Sequence, residues 1–235
     1  MSKIYKFDSK KQRVWFTSDF HYYHGKPFIL GPRKYGTLTE AMQDLKHKWT
    51  QYVGPNDIVI NLGDLIVGAG DKTTEAMYEM LALPCGHHYF LWGNHNAGVQ
   101  QFYDEAKADL GFAADVEVYP LTLPGYNFTF LGHYAEIQVD RHPVVLSHYP
   151  IASWNDISKG AYMLHGHCHR NLKDDLNIKR LDVGWDWQKR PVEWNEIVRE
   201  LSPRKGKPVD HHGREETTGT LSKEVLTSQF FENEK

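Results

Sequence analysis

Short runs of apolar, β-branched or aromatic residues alternate along this chain with longer runs whose apolar positions recur at helical spacing. That alternation predicts an α/β architecture. Residues 13–18 (RVWFTS), 58–62 (IVINL) and 88–92 (HYFLW) read as buried strands. Residues 38–52, 72–83 and 99–110 read as the helices between and after them. Thr37 is placed to cap the first helix, with Glu40 three residues on as in a capping box. Gly54-Pro55-Asn56-Asp57 makes a turn, and Pro84 with Gly86 closes the second helix.

Beyond residue 115 the pattern breaks into shorter pieces. Residues 116–119, 127–131, 136–139 and 144–146 read as strands, antiparallel in part, and 161–164 and 178–183 as two more. From Ser202 the chain turns polar and rich in Gly and Pro. Residues 1–201 are therefore expected to form one domain. Residues 202–235 are expected to be a polar extension, with a short helix over 221–231. His211 and His212 belong to that extension and are assigned to a solvated tail.

Composition narrows the function classes. Lys plus Arg is 27 and Asp plus Glu is 30, a net charge of −3, which gives no basic track for nucleic acid. No apolar run reaches the roughly 18 residues of a membrane span, and the N-terminus carries no apolar signal core. Two cysteines cannot build a disulfide framework, so a cytoplasmic setting is expected. The unusual figure is 14 histidines, the residue type most used as a metal ligand and as a proton donor near neutral pH.

Five fragments organise many of them. Asp19-Phe20-His21 follows the first strand, Gly63-Asp64 the second and Gly93-Asn94-His95 the third. Ser147-His148 and Gly166-His167-Cys168-His169 follow two later strands. Each fragment alone is a weak signal, since Gly-Asp and Gly-Asn are ordinary turn pairs. Five in succession, each where an apolar run stops, fall where α/β folds bind ligands. The donors Asp19, His21, Asp64, Asn94, His148, His167 and His169 exceed the four of a tetrahedral site and suit two adjacent cations. Carboxylate, amide oxygen and imidazole without thiolate favour Mn²⁺, with Fe, Zn²⁺, Ni²⁺ or Mg²⁺ as alternatives.

In this order the fragments resemble the calcineurin-like metallophosphoesterase superfamily. The longer form Asp19-Phe20-His21-Tyr22-Tyr23-His24, with Ser147-His148-Tyr149-Pro150 and Leu181-Asp182-Val183-Gly184, is similar to its small bacterial and phage branch. The resemblance runs from residue 13 to about 200. It implies a four-layer α-β-β-α sandwich, two mixed sheets flanked by helices. It implies that Asp19, His21 and His169 hold one metal, that Asn94, His148 and His167 hold the other, and that Asp64 bridges them. It also implies that His95 is the general acid.

The expected reaction is hydrolysis of a small phosphate ester by a hydroxide bridging the two metals, with His95 protonating the leaving group. A nucleotide or related phosphomonoester, as in a 5'-nucleotidase, is the expected substrate. A diesterase acting on cyclic nucleotides or nucleic-acid ends is one alternative, and a non-catalytic protein that keeps its metals is another. His24 and Tyr149 are candidate substrate contacts, and Tyr22, Tyr23 and Trp154 lie near the motifs. His165 is expected to be a buried, hydrogen-bonded residue. The chain departs from the family pattern in two places. Asn96 follows Gly-Asn-His where a carboxylate is usual, and Val67 stands where many members carry Asp. Asp71, four residues after Val67, is a candidate by proximity alone to orient His95 instead.

Overall fold

The computed structural model describes residues 4–173 and 176–205. The expected helix at 221–231 and the pair His211-His212 lie outside them. The elements run β1 (Tyr5–Phe7), β2 (Val14–Thr17), α1 (Pro27–Leu30), α2 (Leu38–Tyr52), β3 (Ile58–Asn61), α3 (Thr73–Leu81), β4 (His87–Leu91) and α4 (Ala97–Asp109). They continue as β5 (Leu121–Thr122), β6 (Phe128–Gly132), β7 (Tyr134–Val139), β8 (His142–Ser147), β9 (Tyr162–His165), β10 (Arg180–Asp182), β11 (Val192–Glu193) and α5 (Trp194–Leu201). One sheet has the order β11-β2-β3-β4-β6-β5 and the other β1-β7-β8-β9-β10. Both are mixed. β2, β3, β4 and β6 are parallel with antiparallel edges, and β8, β9 and β10 are parallel beside the antiparallel β7.

Period-two alternation builds the layers. Val14, Phe16, Ile58, Ile60 and Leu91 of the first sheet pack on Val144, Leu146, Tyr162 and Leu164 of the second. Their intervening neighbours Trp15, Val59 and Phe90 point the other way and meet Leu45 and Trp49 of α2, Met77 of α3 and Phe102 of α4. On the far side Val145 and Met163 are covered by Trp154 and Ile157, from the segment that carries a 3-10 turn at Ile157–Lys159. Burial of each such side chain contributes about 1.5–3 kcal/mol. α5 adds Trp194, Ile197 and Leu201 to the core between the sheets.

The first long helix starts and ends where its sequence pattern predicts. Thr37 Oγ1 accepts from Glu40 N at 3.1 Å. The Glu40 carboxylate reaches Gly36 N at 2.8 Å rather than Thr37 N, so the box closes one residue earlier than its usual form. The strand expected at 116–119 is absent. Side chains of α4 take its backbone: Tyr103 Oη accepts from Val118 N at 2.8 Å, and Lys107 Nζ donates to Val116 O at 3.0 Å. With those groups satisfied, no neighbouring strand is needed, and the short β5 at Leu121–Thr122 pairs with β6 instead.

Because β2, β3 and β4 are parallel, and β8 and β9 are parallel, the C-terminal ends of each set lie along one edge. Cross-links hold those ends together. Asp19 N donates to Gly63 O (3.0 Å), Gly166 N to His148 O (3.0 Å) and Trp185 N to Ser18 O (2.8 Å).

Candidate metal centre

All five motif fragments emerge on that edge. Asp19, His21 and His169 place one ligand atom each within 4.8 Å of one another, and so do Asp19, Asp64 and His148. His148 Nε2 lies 2.8 Å from Asn94 Oδ1, and His167 Nδ1 lies 2.9 Å from the same oxygen. Asp64 Oδ2 is 3.6 Å from His21 Nε2 and 3.7 Å from His148 Nε2, so it stands between a member of each group. The structure thus brings all seven expected donors together.

Local backbone shape serves this convergence. Asp19, His21, Asp64, His167 and His169 have φ of +56°, +50°, +54°, +66° and +45°. The left-handed region costs an L-residue about 1–2 kcal/mol, and such positions cluster where a site over-determines the chain. Phe20 anchors the first fragment: it is buried edge-on between Trp49 and Trp185, with ring centroids 5.6 and 5.0 Å away. The motif glycines make room for carboxylates. A Cβ on Gly93 would overlap Asp64 Oδ1 and sit 2.7 Å from Asp64 N, and one on Gly166 would overlap Asp19 Oδ2. Gly93→Ala is therefore expected to lower stability by about 1–3 kcal/mol, the usual cost of overpacking, which at this size is about 2–4 °C of Tm per kcal/mol. A thermal melt equal to that of the unchanged protein contradicts this.

The donor set fits cations. His21 Nε2 is buried and has no hydrogen-bond partner, yet it faces two carboxylates at 3.6 and 4.0 Å. Those distances are too long for hydrogen bonds. Burial, followed by the neighbouring His169 and Arg33, pushes the His21 imidazole down to about 2, so the ring presents a lone pair. His148 Nδ1 donates to Leu62 O at 2.8 Å, which leaves its Nε2 lone pair facing Asn94 Oδ1. Burial also lowers the His148 pKa. Desolvation raises that of Asp19, which is fully buried and accepts a bifurcated hydrogen bond from His167 N through both carboxylate oxygens. A lone-pair cage around a desolvated carboxylate is relieved by positive charge.

Two residues outside the sequence expectations hold the cage. Asp186 Oδ2 accepts from His169 Nδ1 at 2.6 Å, which fixes the tautomer and turns Nε2 toward Asp19. Arg33 grips Asp186 through Nε (2.7 Å) and Nη2 (3.0 Å) and also donates to the carbonyls of Phe20 (2.8 Å) and Asp19 (2.6 Å). Arg33 and Asp186 are 153 residues apart in sequence, and no spacing rule links them. Position alone offered a hint, since Asp186 follows the motif-like Leu181-Asp182-Val183-Gly184 by two residues.

His95 lies at the mouth of the site, exposed, with its ring 5.8 Å from that of His21 and its backbone N donating to Asp64 Oδ1 at 2.8 Å. No hydrogen bond among the described residues joins it to Asp71, which is exposed on the 3-10 turn Gly70–Lys72. Asn96 closes the turn instead: its Oδ1 accepts from Gly93 N at 2.9 Å and its Nδ2 donates to Gly93 O at 2.5 Å.

The two candidate substrate contacts separate. His24 Nδ1 lies 3.2 Å from His21 Nδ1 and its ring lines the cavity beside His95. Tyr149 stands at the other end, exposed, 4.7 Å from the His167 ring. Tyr22 is buried and bonded to Glu79, and Trp154 is buried and bonded to Ala161 O, so both are packing residues. His165 is buried with Nδ1 2.8 Å from Gly166 O, as expected.

The sequence profile of the family described as calcineurin-like phosphoesterase matches residues 12–228. The chain belongs to that family. Its members are metal-dependent phosphoester hydrolases that usually bind two divalent metals, and the Asp and His clusters above stand where such metals would sit. The chain is 27% identical over 199 residues to the Gene 66 protein of Mycobacterium phage D29, covering 79% of this chain and 90% of that one. It is 26% identical over 204 residues to the uncharacterised protein MJ1445 of Methanocaldococcus jannaschii, covering 84% and 95%. A phage and an archaeal relative agree with the small bacterial and phage branch. The crystal structure of AQ665 from Aquifex aeolicus, a protein of unknown function, shares the fold with a TM-score of 0.55 at 20% identity, over 80% of this chain and 98% of that one. Among the described residues no helix is long and apolar enough to cross a membrane.

Proposed function

We propose that the protein is a dinuclear metal-dependent phosphoesterase that hydrolyses a small phosphomonoester, with His95 as general acid. The observation that carries this reading is the position of Asp64 Oδ2, 3.6 Å from His21 Nε2 and 3.7 Å from His148 Nε2. One carboxylate oxygen lies between two donor groups, as a bridging ligand must. Asp19, His21 and His169 would hold one cation and Asn94, His148 and His167 the other, with Asp64 shared. When bound, the pair supplies charge neutralisation at the phosphoryl oxygens and a water acidic enough to attack at neutral pH. The protein's own task is orientation. Leu62 O and Asp186 fix the His148 and His169 rings, and the Asp64 Oδ1 bond to His95 N sets the acid beside the carboxylate. The exposed His95 imidazole then delivers its proton to the departing alkoxide oxygen.

A nucleotide or similar monoester is the substrate we assign, and Mn²⁺ is the metal that the mixed oxygen and imidazole set favours. Chromatographic measurement of the hydrolysis products from a panel of nucleoside monophosphates, cyclic nucleotides and diesters, each with Mn²⁺, Fe²⁺, Zn²⁺, Ni²⁺ and Mg²⁺, tests both. The monoesters are expected to turn over fastest with Mn²⁺, and a preference for diesters contradicts the assignment. Asp186→Ala is expected to weaken binding at one of the two cation sites by about 10–100-fold, the usual cost of losing a ligand-orienting partner. Calorimetric titration of the metal-stripped variant with Mn²⁺ reads this directly, and two unaltered binding steps count against it.

A further inference from the structure

A cavity of about 630 Å³ opens beside the donor cluster, within the range of small-molecule sites. Its wall includes His21 and His169 from the cluster, His95, His24, and the apolar Phe28 and Val67. Phe28 is 68% exposed, while its neighbour Ile29 is buried and fastens α1 to the body of the protein. The Phe28 ring stands edge-on to His24, with centroids 5.3 Å apart and planes at 85°. Phe28 thus borders the cavity as a largely exposed side chain, on a helix stiffened by Pro27 at its first turn.

The ionic groups of this wall are already matched. Asp186 is bonded to Arg33 and His169. Arg33 is further bonded to the carbonyls of Asp19 and Phe20. Lys189 is bonded to Arg33 O, and its ammonium lies 4.7 Å from the Tyr35 ring centroid. What the cavity offers a ligand is therefore an open aromatic ring and apolar surface more than an unpaired charge.

We propose that this cavity receives the leaving group of the substrate and that Phe28 stacks on a neutral, planar aromatic ring in that group, such as an aryl ring or a nucleobase. The inference rests on the phosphoesterase reading and deepens it. Protonation of the departing oxygen requires the leaving group to lie against the acid. The acid, His95, shares this wall with Phe28, whereas Tyr149 lies beside His167 and outside it. A phosphomonoester has a single substituent, and that substituent is the leaving group. Attack by a water-derived hydroxide forms a new P–O bond as the P–O bond to the leaving group breaks, and the released alkoxide takes the His95 proton, so the products are inorganic phosphate and the aromatic alcohol.

Benzyl phosphate and ethyl phosphate test the point, because their alcohols are of similar acidity and differ in the ring. With Mn²⁺, the unchanged protein is expected to favour the benzyl ester in kcat/KM by about 10-fold, the scale of one aromatic stacking contact. Phe28→Ala is expected to erase that preference while leaving ethyl phosphate within about twofold, and Phe28→Tyr to restore it. Binding of benzylphosphonate and ethylphosphonate to the Mn²⁺-loaded protein, followed by calorimetry, should show the same Phe28 dependence without turnover. Hydrolysis of both esters at rates indifferent to Phe28 overturns the aromatic subsite and leaves the phosphoesterase reading intact. Ring-selective phosphonate binding that depends on Phe28, with neither ester hydrolysed, supports the subsite and defeats the phosphoesterase reading.

Discussion

Asp64→Ala is expected to leave the purified protein short of bound metal and to lower turnover by at least about 10³-fold, beyond the range for loss of a single charge-stabilising donor. The carboxylate is 1% exposed and serves both of its sides. Oδ1 accepts from His95 N at 2.8 Å, and Oδ2 lies between His21 and His148. Alanine removes the negative charge that links the two donor groups, and it also frees the backbone donor that places His95. The two effects come apart in Asp64→Asn, which keeps the volume and an acceptor for His95 N but not the charge. Both variants should show reduced metal by elemental analysis after dialysis, the alanine more severely. A full two metals per chain in Asp64→Ala excludes the bridging role.

His95→Ala is expected to behave oppositely, keeping its metals and its fold while losing about 10²–10⁴-fold in rate on alkyl phosphates. The imidazole is exposed and its ring makes no hydrogen bond among the described residues. The contact to Asp64 uses the backbone N–H, which alanine retains. Little of the structure depends on this side chain, so a large kinetic effect isolates its chemistry. The loss should shrink on an aryl phosphate such as p-nitrophenyl phosphate, whose leaving group departs without a proton. Equal losses on both esters, or no loss on the alkyl ester, removes His95 from the role of acid.

Much of this was legible in the sequence because it is local. The α2 boundaries follow from Thr37 and the apolar spacing behind it, and the seven donors each sit directly after an apolar run. The elements that escaped are β1, α1, β5 and β11, of two to four residues each and without a period of their own, together with the α5 that follows β11. Alternation misled at residues 116–119, where Tyr103 and Lys107 satisfy the backbone and no strand is required. At the site, the donors were visible but their supports were not. Arg33 and Asp186 meet only after the chain has folded across 153 residues, and Phe28 becomes meaningful only beside a cavity that contains His95. Asp71, a candidate partner for His95 by proximity, makes no hydrogen bond to it among the described residues, since nearness in sequence carries no side-chain direction.

On the proposed function, two cations held by these residues make the chain a phosphoesterase. This is tested most directly by phosphate release from a monoester as Mn²⁺ is titrated into metal-stripped protein. No release is expected without metal, and the rate is expected to climb to a plateau at two Mn²⁺ per chain. Full activity without metal, or none with two Mn²⁺ bound, contradicts that function.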